Sequence, residues 1–234
     1  MQLFYSPTIS ENEKLFVFDK EESKHIIKVL RKKESDILFV TNGLGYLFKT
    51  EIFLASDNKC TVTILSFEKQ MPNTSYLHLA VAPTKMNERY EWFLEKATEI
   101  GIQEITPIIC EHSERKMVKL DRFQKIIESA MKQSLHFYIP KLNEAILYKD
   151  FIKKEFNGQK FIAHCEETDK KSFKNEYKTH ENALILIGPE GDFSVKEIQM
   201  ALDNKFIPVS LGNTRLRTET AAIVACHSAV LLNE

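Results

Sequence analysis

The chain has 234 residues, 43% hydrophobic and 28% charged, with a formal net charge of −1, the balance of an ordinary globular protein. Collagen-like, low-complexity and polycationic classes are excluded, so any nucleic-acid surface must come from local basic patches. Only seven residues are glycine, less than half the usual ~7% share, so each marks a backbone requirement.

In chain order, Leu15 to Phe18 and Ile37 to Val40 read as short strands. Thr41-Asn42-Gly43-Leu44-Gly45 is a turn, since Asn-Gly supplies the positive φ of a hairpin. Tyr46 to Phe53 and Cys60 to Phe67 complete a meander that predicts a small β-barrel. Glu21 to Lys33 interrupts it as a helical stretch carrying Ile26, Ile27, Val29 and Leu30. Within it Lys24, Lys28, Arg31, Lys32 and Lys33 occur without an acid, either a solvated face or a phosphate-binding one.

The Pro-Asn-Thr-Ser cluster in 71–76 predicts a domain boundary, giving domains 1–70 and 71–234. Beyond it strands alternate with helices. Tyr76 to Val81 is a strand. A helix follows on the Met86, Tyr90, Phe93, Leu94, Ala97 and Ile100 spacing and ends at Gly101. Ile105 to Cys110, Phe161 to His164, Ala183 to Ile187 and Pro208 to Leu211 are further strands. Leu120 to Ser134, Ser194 to Asn204 (opened by a Ser-Val-Lys-Glu capping box) and Glu219 to Leu232 are helices. Alternation of this kind predicts an α/β domain with a mainly parallel sheet.

Two loops are the candidates for chemistry, the alternative being tight strand-to-helix turns that hold no ligand. Leu186-Ile187-Gly188-Pro189-Glu190-Gly191-Asp192-Phe193-Ser194 runs from a buried strand to a capped helix, and Ser210-Leu211-Gly212-Asn213-Thr214-Arg215-Leu216-Arg217-Thr218 does the same. Ligands in open α/β sheets bind beyond such strand ends. Thr218 reads as an N-cap. Arg215 and Arg217 oppose the helix dipole there, a conflict that a bound phosphate or carboxylate resolves. Neither loop matches a dinucleotide or P-loop pattern. A second basic cluster is Arg115, Lys116, Lys119, Arg122 and Lys125, with Arg89 a further candidate. The cysteines, Cys60, Cys110, Cys165 and Cys226, lack metal-ligand spacing and read as reduced, buried thiols of a cytoplasmic protein. No apolar run has membrane-spanning length and no targeting pattern is visible at the N-terminus.

LIGPEGDFS followed by SLGNTRLRTETAA closely resembles the RsmE family of 16S ribosomal RNA methyltransferases, of the SPOUT superfamily. The resemblance implies an α/β SPOUT domain with a C-terminal trefoil knot, preceded by a PUA-like β-barrel. It implies methyl transfer from S-adenosylmethionine to N3 of a uridine in 16S rRNA of the small ribosomal subunit. A cytoplasmic homodimer without a metal is implied as well. It places Ile187, Gly188, Gly191, Leu211, Gly212 and Leu216 at the cofactor, and Arg217 at the uracil anion or phosphate. Glu190 is favoured over Glu219 as proton acceptor. Lys24, Lys28, Arg31, Lys32, Arg89, Arg115 and Lys116 are the candidate RNA contacts. Asp192 stands where the family commonly has glycine, and Leu3, Lys132 and His136 depart from its RNA-facing pattern. Two other readings stay open: a SPOUT enzyme with another target, a ribose 2′-hydroxyl or a different base, and a non-catalytic RNA-binding assembly protein.

Overall fold

The computed structural model describes residues 1–166 and 170–234. These form two compact units, Met1–Pro72 with Met131–Ile139, and Asn73–Ala130 with Pro140–Glu234. The first holds β1 (Leu3–Tyr5), β2 (Leu15–Val17), α1 (Lys20–Lys24), β3 (Ile37–Thr41), β4 (Tyr46–Leu54) and β5 (Thr61–Lys69). Its five-stranded sheet has the order β1-β3-β4-β5-β2, with β1 parallel to β3 and the other pairs antiparallel. Phe4, Phe16, Phe18, Ile26, Val40, Phe48 and Val62 fill its core. The three residues of β1 are too few for any periodicity to announce them.

The helical stretch expected from Glu21 to Lys33 is shorter and of two kinds. α1 is capped by Asp19, whose Oδ1 accepts from the Glu22 amide at 2.8 Å. It passes into one π-helical turn, His25–Val29, closed by Leu30 N donating to His25 O at 3.0 Å. Arg31 then takes φ +54°, which ends helical winding. The extra residue per turn keeps Ile26 fully buried while Lys24, Lys28 and Arg31 stay exposed.

Gly43 and Gly45 take the expected positive φ, +75° and +91°. Gly45 has a second reason to lack a side chain: a Cβ there would run into the Tyr138 ring. Gly45 N donates to Phe137 O at 2.9 Å and Ile139 N to Gly43 O at 3.0 Å, so this turn pairs with 137–139. That pairing explains why Met131–Ile139 belongs to the first unit, which a boundary drawn in chain order between 70 and 71 does not capture.

The second unit contains β6 (Leu77–Val81), α2 (Asn87–Ile100), β7 (Glu104–Ile109), most of α3 (Leu120–Gln133), β8 (Lys141–Leu142), β9 (Ile146–Leu147) and α4 (Tyr148–Phe151). Then come β10 (Gln159–Ala163), β11 (Lys171–Ser172), α5 (Phe173–Glu176), β12 (Ala183–Ile187), α6 (Val195–Asp203), β13 (Ile207–Ser210) and α7 (Thr218–Leu232). The sheet order is β11-β13-β10-β12-β6-β7-β8, with β9 also paired to β7 and all pairs parallel. β6 and β12 are buried at every residue, as a parallel sheet covered on both faces requires. On one face α4 and α6 bury Tyr148, Phe151, Ile198 and Ala201 with Ile162, Leu184 and Leu186. α7 packs on α2, β6 and β12. β13 does not lie beside its predecessor β12. It crosses to the far side of β10, which brings the loops after β10, β12 and β13 to one edge.

Candidate functional site

At that carboxyl edge a cavity of about 640 Å³ opens between the three loops. His164 and Cys165 line it from β10, Ile187 to Glu190 and Asp192 from β12, and Ser210 to Thr218 from β13. Three adjacent parallel strands ending together make the place where open α/β sheets bind ligands.

The loops are fixed to each other. Thr218 is not the N-cap of α7; Arg217 is, with φ −71° and ψ 157°. The buried Thr218 hydroxyl instead donates to Gly188 O at 3.0 Å, fastening the β13–α7 loop to the β12–α6 loop. A Cβ on Gly188 would lie 3.0 Å from the Phe193 ring, so the glycine lets Phe193 reach the core. Asp192 takes φ +62°, a left-handed conformation that glycine adopts freely and that aspartate tolerates. Its carboxylate accepts from Cys165 N at 2.7 Å, joining the β10 and β12 loops. The expected capping box is present at Ser194 and Glu197, and Glu197 Oε1 also accepts from Glu111 N at 2.9 Å. His112 Nδ1 lies 3.0 and 3.1 Å from the Gly191 and Asp192 carbonyl oxygens. Both are acceptors, so Nδ1 carries the proton.

Of the residues singled out in the sequence, Ile187, Gly188, Leu211, Gly212 and Leu216 line the cavity, as do Arg217 and Glu190. Gly191 does not; its Cα faces His112, whose Cβ would be 3.1 Å from a side chain there. Arg215 and Arg217 are exposed. Glu190 Oε1 accepts from Lys85 N at 2.9 Å and so braces the loop after β6. Arg115 braces that same loop, donating to Thr84 O at 3.2 Å and Lys85 O at 2.7 Å. Arg89 Nε stands 3.8 Å from Glu219 Oε1, a carboxylate only 5% exposed. Arg89 and Arg115 are therefore engaged within the fold, while Lys116 is exposed. In the first unit Lys24 and Arg31 are exposed, Lys32 is half-buried, and Lys28 pairs with Asp57 at 3.3 Å.

Three lining residues carried no sequence signal: His164, Cys165 and Lys170. Cys165 is exposed, a correction to the all-buried thiols expected, whereas Cys60, Cys110 and Cys226 are buried. Burial, then the nearby Lys170, holds the His164 imidazole below its ordinary pKa. Lys170 Nζ donates to His164 O at 2.9 Å and to Glu166 O at 2.7 Å. Only the sheet order reveals these positions, because it puts β10 between β12 and β13.

The cavity fits S-adenosylmethionine on its own features. Its volume lies within the ~300–1,000 Å³ of small-molecule sites. Ile187, Val209, Leu211 and Leu216 give apolar walls for an adenine. Glu190 and Asp192 suit the cationic end, Arg215 and Arg217 suit a carboxylate, and His164 beside them has ring nitrogens without a partner among the described residues.

Residues 71–230 match the RNA methyltransferase domain family and residues 18–65 the RNA methyltransferase PUA domain. A ribosomal RNA small subunit methyltransferase E of Buchnera aphidicola subsp. Acyrthosiphon pisum is 33% identical over 90% of this chain and 85% of its own length. Its counterpart in Rickettsia conorii is 28% identical over 99% of this chain and 95% of its own. The crystal structure of a probable rRNA-methyltransferase from Porphyromonas gingivalis superposes with a TM-score of 0.92 at 40% identity, covering 100% of this chain and 98% of that one. A methyltransferase of Legionella pneumophila, solved in complex with the bound cofactor SAM, has a TM-score of 0.86 at 29% identity over 96% of this chain and 94% of that one. With both domains matched and the SPOUT α/β architecture in place, the chain belongs to the ribosomal RNA small subunit methyltransferase E family.

Proposed function

We propose that the chain transfers a methyl group from S-adenosylmethionine to N3 of a uridine in 16S rRNA, within the small ribosomal subunit and in the cytoplasm. The observation that carries this reading is the cavity shared by three strand ends, with Arg217 lining it beside the apolar cofactor walls. The names of the family relatives supply the RNA class. When bound, S-adenosylmethionine supplies an electrophilic methyl group on a sulfonium.

The protein's own residues handle the uracil. Its N3 proton must leave as the methyl arrives, so negative charge develops on the base. Arg217, at the N-terminus of α7, stabilises that charge with its guanidinium. Glu190 accepts the proton through Oε2, since Oε1 holds the Lys85 amide. Ile187, Gly188, Leu211, Gly212 and Leu216 hold the cofactor, and Gly191 supports them through its contact with His112. Lys24, Lys28, Arg31 and Lys32 of the first unit, with Lys116 of the second, neutralise RNA phosphates. Arg89 and Arg115 serve the RNA through the backbone and α7 contacts they already make.

The working species is a homodimer. α7 is apolar nearly all round, yet Ile223, Val224 and Val230 are only half-buried and Leu231 is 55% exposed in the single chain. A second copy covers those side chains. Transfer of labelled methyl from S-adenosylmethionine to small subunits purified from a methylation-deficient strain tests the activity. Label incorporated by the wild type, and absent with Arg217→Ala, is the expected result. Wild-type incorporation into no RNA substrate contradicts the reading.

A further inference from the structure

His164 stands out from every other described histidine. It is 8% exposed, and neither Nδ1 nor Nε2 has a hydrogen-bond partner among the described residues. Burying an imidazole without partners is unfavourable, and structures seldom tolerate it without a purpose. Two charged groups that act on the ring, Lys170 and Asp192, have other partners. Lys170 Nζ is directed to the His164 and Glu166 carbonyls, and the Asp192 carboxylate to the Cys165 amide. His164 is among the residues that line the ligand cavity, at the end of β10 and between the loops after β12 and β13, with both ring nitrogens shielded from solvent.

We propose that His164 is a cofactor-binding residue whose ring turns toward the cavity when S-adenosylmethionine binds and hydrogen-bonds one of its polar groups. The assignment rests on the cofactor reading above. Burial and Lys170 favour the uncharged ring, which offers one donor and one acceptor and does not repel a sulfonium. Ribose hydroxyls or the adenine edge satisfy both ring nitrogens, whereas the amino-acid carboxylate satisfies only the donor.

Calorimetric titration of S-adenosylmethionine and of 5′-methylthioadenosine into the full chain tests this, together with ligand-free melting temperatures. His164→Phe fills the site without polar atoms, and His164→Asn restores part of the hydrogen bonding. The expected result is S-adenosylmethionine binding weakened about tenfold or more in His164→Phe, the scale of one ligand hydrogen bond, and partly recovered in His164→Asn. The melting temperature of ligand-free His164→Phe should equal or exceed that of the wild type, because an unpaired polar group has been removed. A parallel loss of methylthioadenosine affinity places the contact on the nucleoside, and a loss confined to S-adenosylmethionine places it on the amino-acid end. Should His164→Phe fail to fold, His164→Asn carries the same comparison. Affinity within twofold of wild type in both variants overturns the assignment alone. No binding by the wild type overturns the cofactor reading and this assignment together.

Discussion

Arg217 and Thr218 are neighbours in the chain with opposite surroundings, and they separate chemistry from architecture. Arg217 is exposed at the cavity, so Arg217→Ala should shift stability by no more than ~0.5 kcal/mol while abolishing turnover. Near-normal turnover in that variant would remove it from the mechanism. Thr218→Val keeps the volume but leaves the buried Gly188 carbonyl unpaired, at a cost of about 1–3 kcal/mol. Denaturant titration should show that loss, together with weaker cofactor binding as the two loops part; an unchanged midpoint would contradict the tether. Residue types alone led to Arg217, Gly188 and Gly212, because glycines and cations at helix starts are local signals. They could not single out His164, whose meaning lies in the absence of partners, nor Asp192, whose φ and contact with Cys165 exist only in the folded chain.

Among the elements, those whose rules are local were readable and those set by distant pairing were not. The Ser194–Glu197 capping box closes within one turn, so four residues announce it. Ser194→Ala should cost about 1 kcal/mol, measurable as a lowered melting temperature, and should also loosen the Glu197 bridge to Glu111 N. A variant as stable as wild type would show that α6 is held by packing alone. The stretch after Asp19 looked like one helix because its apolar positions fit a 3.6-residue period. Burial of Ile26 instead draws the chain into a π turn, with a hydrogen bond spanning five residues that periodicity does not encode. The placement of β13 beyond β10, on which the whole site depends, is likewise a matter of long-range pairing. The membership of 131–139 in the first unit follows from backbone bonds to Gly43 and Gly45, some 90 positions away, as the register of those bonds shows.

For the whole molecule, stability should depend on acid through a buried group far from the cavity in the chain's logic. His78 on β6 sits 2.7 Å from Thr106 Oγ1 through Nε2 and 3.7 Å from Glu104 Oε2 through Nδ1. Burial drives its pKa down to about 4, against an opposing pull from Glu104. The unfolded chain, with an ordinary histidine pKa near ~6.5, therefore takes up this proton first as pH falls. Folding stability contributed by the neutral ring is complete above ~6.5, is lost as pH drops toward about 4, and levels off below. Between pH 6.5 and 5 the loss should be on the order of 2 kcal/mol, and urea midpoints of His78→Gln should fall less steeply over that range. Equal slopes would assign the acid sensitivity elsewhere. Matches to the RNA methyltransferase domain and to the RNA methyltransferase PUA domain, and a cavity at the carboxyl edge of β10, β12 and β13, converge on one reaction. Its most direct test is nucleoside mass spectrometry of 16S rRNA from unmodified small subunits after incubation with the protein and S-adenosylmethionine. 3-Methyluridine at a single position is the expected product; a 2′-O-methylated nucleoside, or methylation of any other base, would overturn the assignment.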